Sequence, residues 1–371
     1  MTDRLRSTTL DRRKFLATSG TGMLAAVALP GALEASGVDA SRSASDPTPP
    51  TNARKIPIGV FDPVYGDLSL EQMLETVSGL GLEAMEIATR SNPHCPIDEL
   101  LADPAKAKAW QKKFESKGLR VAALSCHGNP LHPNVKKATA DDQLFRKTVQ
   151  LAQMVGVEVI VGFSGCPAGT PVDTQPNWIV YRWPPEHGEM LDWQWKEKVV
   201  PYWKDAAQFA RAHGVHKIAF EMHPNMVAYN PRTLLQLREA VGPEIGANCD
   251  LSHLFWQGCD AVEVIHFLGN QGAIYHAHMK DTVFFEQNKA KYGVLNFGSE
   301  VQDLPLASET FRAVGYGHSA ETWKEIVKAY MDVNFDGIMS IENEDPILPG
   351  PVGVERAAYV LKNVRKELLG D

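Results

Sequence analysis

The chain has 371 residues, 44% hydrophobic and 22% charged, with a formal net charge of −8 at pH 7. That composition is ordinary for a globular protein, and the length suits one large barrel-sized domain or two smaller ones. The acidic balance argues against a nucleic-acid partner, and beyond the N-terminus no apolar run is long enough for a membrane span.

The first forty-odd residues stand apart from the rest. Arg12 and Arg13 precede Phe15 and Leu16, and a short, mildly apolar run follows from Met23 to Leu29. This segment resembles a twin-arginine export signal, which implies a periplasmic destination. Residues 1–45 are read as that signal and the start of a linker, 46–55 as the rest of a Ser/Pro-rich linker, and 56–371 as the folded domain. Residues 1–45 carry six basic and four acidic side chains, so their removal leaves the mature chain near −10.

From Ile56 onward, short apolar runs alternate with longer amphipathic ones. The predicted strands are 56–61, 82–88, 120–126, 157–164, 216–223, 244–250, 273–280 and 337–343. Helical patterns between and after them include 69–80, 143–156, 199–214, 231–242, 321–333 and 353–369. Several of these end in Gly, which supplies the left-handed turn from helix back into strand. Eight such units predict an α/β fold, a (β/α)8 TIM barrel. The alternative is a doubly wound open sheet, but no Gly-rich phosphate fingerprint follows the first strand. Two long connections, Gly165 to about Trp195 and Thr282 to about Ser319, leave the C-terminal ends of strands 4 and 7. Barrel active sites are built on that face.

Strand alternation then sorts the polar side chains. Glu221 and His223 share the inward face of strand 5 with Ala219. Gly246, Asn248 and Asp250 face inward from strand 6. His276, His278 and Lys280 do so from strand 7, and Ser340, Glu342 and Glu344 from strand 8. Glu221, Asp250, His278 and Glu342 therefore meet at one mouth. Three carboxylates there repel one another at low dielectric, and a divalent cation relieves the repulsion. Three oxygens and one imidazole with open positions suit Mn²⁺, Mg²⁺ or Co²⁺ better than a closed Zn²⁺ site. Mn²⁺ is the first choice, and Zn²⁺ stays open.

The motifs "FEMHP", "NCDLSHLFWQG", "HAHMKD" and "SIENED" resemble those of the xylose isomerase-like TIM-barrel superfamily over residues 55–371. They are most similar to its sugar phosphate isomerase/epimerase group, related to ketose 3-epimerases and inosose dehydratases. The resemblance implies metal ligands Glu221, Asp250, His278 and Glu342. It also makes Glu221 and Glu342 the catalytic acid–base pair of a metal-dependent sugar isomerase or epimerase. The implied chemistry is proton transfer beside a carbonyl, through an enediolate. His253, in the D-x-x-H pairing with Asp250, and Lys280 are candidates to hold a substrate hydroxyl or developing oxyanion. His223, His127 and Trp256 are further candidates to line the substrate pocket, and His276, one strand step deeper, to support the site. Two positions depart from the epimerases: Phe284 stands where they carry an arginine, and Val227 where they carry a second glutamate.

Those departures keep a lyase or hydratase acting on 3-keto-glycosides open, through the same enolate. A non-catalytic sugar-binding protein is a weaker reading. A phosphodiesterase of the endonuclease IV kind needs a basic face and more histidine ligands. Five tryptophans, Trp178, Trp183, Trp193, Trp195 and Trp203, crowd the segment after strand 4, as a sugar platform, core packing or subunit contact. Arg182 and Arg312 are candidates to hold an anion. The expected partner is a small sugar, and a homodimer or tetramer is open. The five cysteines are widely spaced and odd in number, so mostly free thiols are expected.

Overall fold

A computed structural model of the protein describes residues 55–370. The export-signal reading and most of the linker reading lie outside those residues. Eight parallel strands close into a barrel: β1 (Ile58–Phe61), β2 (Ala84–Ala88), β3 (Arg120–Ser125), β4 (Val159–Gly162), β5 (Lys217–Glu221), β6 (Ile245–Asn248), β7 (Ile274–Met279) and β10 (Met339–Ile341). Each is shorter than the apolar run that predicts it. The run ends bend out of the ladder, and at the C-terminal ends they carry the polar residues with them.

Helices wrap the outside, with boundaries set by local chemistry. Leu70–Gly79 starts from a capping box in which Ser69 and Gln72 satisfy each other's backbone N–H groups. Val135–Val155 stops at Gly156, whose φ of 69° reverses the chain toward β4. Trp203, on Val200–Ala212, is 2% exposed between Phe145 and Phe220, and its indole N–H donates to Ser164 O at 2.8 Å. Burying such a ring contributes about 3 kcal/mol.

Inside the barrel the layers change character. Ala123, Val159, Val161 and Ala219 form a small apolar plug. Above it, Glu86, Ser125, His276, His278 and Ser340 form a fully buried polar layer. The mouth lies above that.

The two long connections are structured. The one after β4 contains the helix Pro185–Trp193, which runs through a π-turn, Gln194–Val199, into Val200–Ala212. The one after β7 folds back as an antiparallel ribbon, β8 (Asp281–Phe284) against β9 (Glu309–Arg312), with the helix Glu286–Tyr292 between them. No helix among the described residues is long and apolar enough to cross a membrane.

Candidate metal centre

Register brings the four predicted ligands together. Glu221, the last residue of β5, pairs with Asn248 in β6, and Asp250 lies one alternation further on the same face. His278 in β7 sits opposite Ser340 in β10, and Glu342 follows Ser340 by two. One donor atom from each of Glu221, Asp250, His278 and Glu342 lies within 4.8 Å of the others. His278 Nδ1 is 2.9 Å from Glu342 Oε2, 3.5 Å from Glu221 Oε2 and 3.8 Å from Asp250 Oδ2. Glu221, Asp250 and His278 are buried.

The donors are crowded but not hydrogen-bonded to one another. Asp250 Oδ2 and His278 Nδ1 are buried and make no hydrogen bond, although Lys280 Nζ stands 3.0 Å from Asp250 Oδ2 as an ion-pair partner. Two donor atoms free of hydrogen bonds, flanked by two more carboxylates, fit a divalent cation, with the oxygen-rich donor set already noted. Among the described residues two other metal-sized groups occur, Glu86–His276–His278 and Glu221–His223–His253.

The neighbours hold this charge in place. Lys280 is 1% exposed, and its Nζ lies 3.0 Å from Asp250, 2.6 Å from Glu342 and 2.8 Å from Glu344. Burial works against its charge, but the Asp250, Glu342 and Glu344 carboxylates override that and raise its pKa well above the usual value. Burial likewise pushes Asp250 up, and the Lys280 and His253 charges overcome it, holding the carboxyl well below the usual range. Glu221 accepts from His253 Nε2 at 2.9 Å and His127 Nε2 at 3.1 Å, one on each oxygen. Those bonds outweigh its desolvation and keep it ionised. His223 differs: burial, then the nearby His253, drops it to about 4, so its ring is neutral at pH 7. Its Nδ1 lies 2.6 Å from Pro224 O, and the ring sits against His253 and Phe163.

The structure thus gathers Glu221, Asp250, His278, Glu342, His253, Lys280 and His127, with His223 alongside. Trp256 is half-buried on the turn after His253, and no ring contact to the cluster involves it among the described residues. Phe311, carried in by the ribbon, packs 5.2 Å from His253 and under Lys280 at 4.5 Å. The five-tryptophan patch divides. Trp203 is core, Trp183 is 77% exposed, and Trp178 and Trp195 line a cleft of about 720 Å³ with Tyr229 and Arg232. The two candidate anion-holding arginines are engaged elsewhere, Arg182 with Asp192 and Arg312 with Asp345. All five cysteines are free, four of them buried.

Sequence reasoning passed over Glu86 and Phe61. Glu86 is fully buried in β2 and accepts from His276 Nε2 at 2.8 Å, His278 Nε2 at 2.9 Å and Ser340 Oγ at 2.8 Å. The signal was present: in "AMEIA" it shares the inward face with Ala84 and Ala88, between outward Met85 and Ile87. Phe61, at the end of β1, stacks on His278 with ring centres 5.6 Å apart.

With fold and geometry in place, comparison with known proteins gives the family. Residues 74–364 match the family described as Xylose isomerase-like TIM barrel, and the chain belongs to it. Over 302 residues it is 37% identical to the uncharacterized protein YfiH of Bacillus subtilis (strain 168), spanning 80% of this chain and 95% of that one. Among solved structures it is similar to the probable 3-DHS dehydratase AsbF of Bacillus anthracis, with a TM-score of 0.57 and 16% identity over 83% of this chain and 99% of that one. A D-psicose 3-epimerase solved with D-fructose gives 0.55 and 14%, over 85% and 100%. The 3-keto-D-glucoside 4-epimerase YcjR from E. coli gives 0.55 and 13%, over 84% and 100%. These three likenesses are of fold.

Proposed function

We propose that the protein is a divalent-metal-dependent sugar isomerase or epimerase working by proton transfer beside a carbonyl. One observation carries the reading: Glu221 and Glu342 converge with Asp250 and His278 on one point at the barrel mouth. Glu221, Asp250, His278 and Glu342 would hold the ion, Mn²⁺ first. A cation bound there supplies positive charge to a carbonyl oxygen as the neighbouring carbon becomes acidic.

The rest falls to the chain's own side chains. Glu221 and Glu342 are the proton-handling pair: one removes the proton and the other returns it. His127 and His253 fix the two oxygens of Glu221, so its orientation is set before substrate arrives. Lys280 pairs with Glu342 at 2.6 Å and offers an ammonium to a substrate oxygen. His253 Nδ1 lacks a partner and is available to a hydroxyl. Phe61, Phe163 and Phe311 ring this polar patch with apolar faces and limit water.

A second reading, elimination of a β-substituent from a 3-keto-glycoside, has its own support. Val227 is 5% exposed, and Phe284 lies under the Lys289 ammonium at 4.7 Å. Neither supplies the polar group that the epimerase resemblance requires there. The export-signal resemblance supports a periplasmic enzyme meeting unphosphorylated sugars.

The test is NMR in D₂O with Mn²⁺-loaded protein, free ketoses and 3-keto-glucosides. Deuterium beside the carbonyl with an isomer formed is the expected result, and E221Q abolishes it. Loss of the aglycone selects the elimination. No exchange on any sugar by metal-loaded protein overturns both.

A further inference from the structure

We propose that Glu86 is a positioning residue for the metal centre: it fixes which nitrogen of His278 faces the ion. This rests on the metal reading above. An imidazole offers a lone pair from one nitrogen only when the proton sits on the other. His278 Nε2 lies 2.9 Å from Glu86 Oε2, so the proton belongs on Nε2 and the lone pair on Nδ1. Nδ1 is the atom aimed at Glu221, Asp250 and Glu342.

Glu86 is unusually well anchored for this task. Oε2 accepts from His276 Nε2, His278 Nε2 and Ser340 Oγ, and Oε1 accepts from Ser125 Oγ. The donors come from β3, β7 and β10, so three strands hold one carboxylate. Four donors surround it, three on Oε2 and one on Oε1. It is 0% exposed, so no water competes for His278. Phe61, stacked at an interplanar angle of 24°, prevents the imidazole from swinging. His276 contributes a second N–H to the same oxygen, so it supports Glu86 and does not reach the ion. That explains why two histidines sit in one strand while only one joins the centre.

Carboxylate partners of ligating histidines raise ligand basicity, and their loss costs 10–100-fold in metal affinity. The experiment measures Mn²⁺ dissociation constants by electron paramagnetic resonance of the free ion, for wild type, E86Q and E86L. Glutamine can keep an acceptor toward His278 but loses the charge, so E86Q should bind about 10-fold more weakly. Leucine removes both, and E86L should bind about 100-fold more weakly. E86Q binding within twofold of wild type, with a lowered melting temperature, would mark Glu86 as structural only and overturn the proposal. If wild type itself binds no Mn²⁺, the metal reading has failed, and this proposal with it. A second measurement needs no variant. Long-range ¹H–¹⁵N correlation on histidine-labelled, Zn²⁺-loaded wild type should show His278 protonated at Nε2. Protonation at Nδ1 would overturn the assignment even if every variant failed to fold.

Discussion

Asp250 and Asp281 are both fully buried carboxylates at the C-terminal face of the barrel, and their surroundings are opposite. Asp281 Oδ2 accepts from the backbone N–H of Gly315, Gly317 and His318 and from the Trp323 indole, at 2.9–3.0 Å. Its Oδ1 accepts from Thr282 N and His318 Nδ1. Asp250 accepts one hydrogen bond, on Oδ1 from Ser252 N, while its Oδ2 has only the Lys280 ammonium 3.0 Å away. The first carboxylate is complete within the chain and pins the 315–318 turn to the barrel rim. The second is left open beside three other acids and a lysine. Burial of an acid alone therefore does not mark a candidate ligand; an acceptor free of hydrogen bonds and set among other donors does.

The largest effect expected from this contrast is on folding. In D281N the amide NH₂ must face N–H donors whichever way it turns. The substitution should cost about 3 kcal/mol, roughly 5 °C in melting temperature for a domain of this size. Mn²⁺ binding by the folded fraction should be unchanged, since Asp281 points away from the centre. Calorimetry with and without Mn²⁺ reads both; a D281N protein that melts like wild type would remove the distinction.

D250N should do the reverse. Asparagine can keep the Ser252 bond and relieves repulsion among the acids, while Lys280 loses one of three carboxylate partners. These effects offset, so metal-free stability should move by less than about 1 kcal/mol. The stabilisation gained from Mn²⁺, about 2.7 kcal/mol at a hundredfold excess over the dissociation constant, should vanish. Metal-free D250N that melts as low as D281N would show that Asp250 is also a structural acid.

The difference between the two aspartates also marks what the sequence could reveal. All eight barrel strands and the inward faces of β5, β6, β7 and β10 follow from two-residue alternation, so Glu221, Asp250, His278 and Glu342 were legible as a group. Alternation is local, and register in a closed parallel barrel carries it into space. What alternation cannot give is who accepts from whom. Most partners of Asp281 lie in the 315–318 turn and at Trp323, more than thirty residues away in sequence. Glu86 sat in a strand whose four other residues are apolar, and its partners are far away in sequence. Phe311 reaches the mouth through an antiparallel ribbon inside a long connection, where no periodic pattern announced a strand.

Glu309 supplies a third case, one that only a change of pH reveals. It is 3% exposed on β9, and its Oε2 is also an orphan. No basic group offsets its burial, which pushes the carboxyl from 4.5 to about 8. An orphaned acid beside a cation stays ionised, as at Asp250; one without a cation keeps its proton. The folded chain therefore holds a proton at Glu309 between pH 4.5 and 8 that the unfolded chain has released. Over that window stability falls as pH rises: the contribution is whole below 4.5 and gone above 8. E309Q is neutral throughout and escapes the loss. With metal removed by chelation, E309Q and wild type should melt together at pH 4. At pH 9 the variant should be the more stable of the two, the gap opening between pH 4.5 and 8. An offset between the two that stays constant from pH 4 to 9 would mean that Glu309 is ionised in the fold. A charged, orphaned carboxylate with no cation beside it would then need a partner of its own, and the rule separating Asp250 from Asp281 would have to include it.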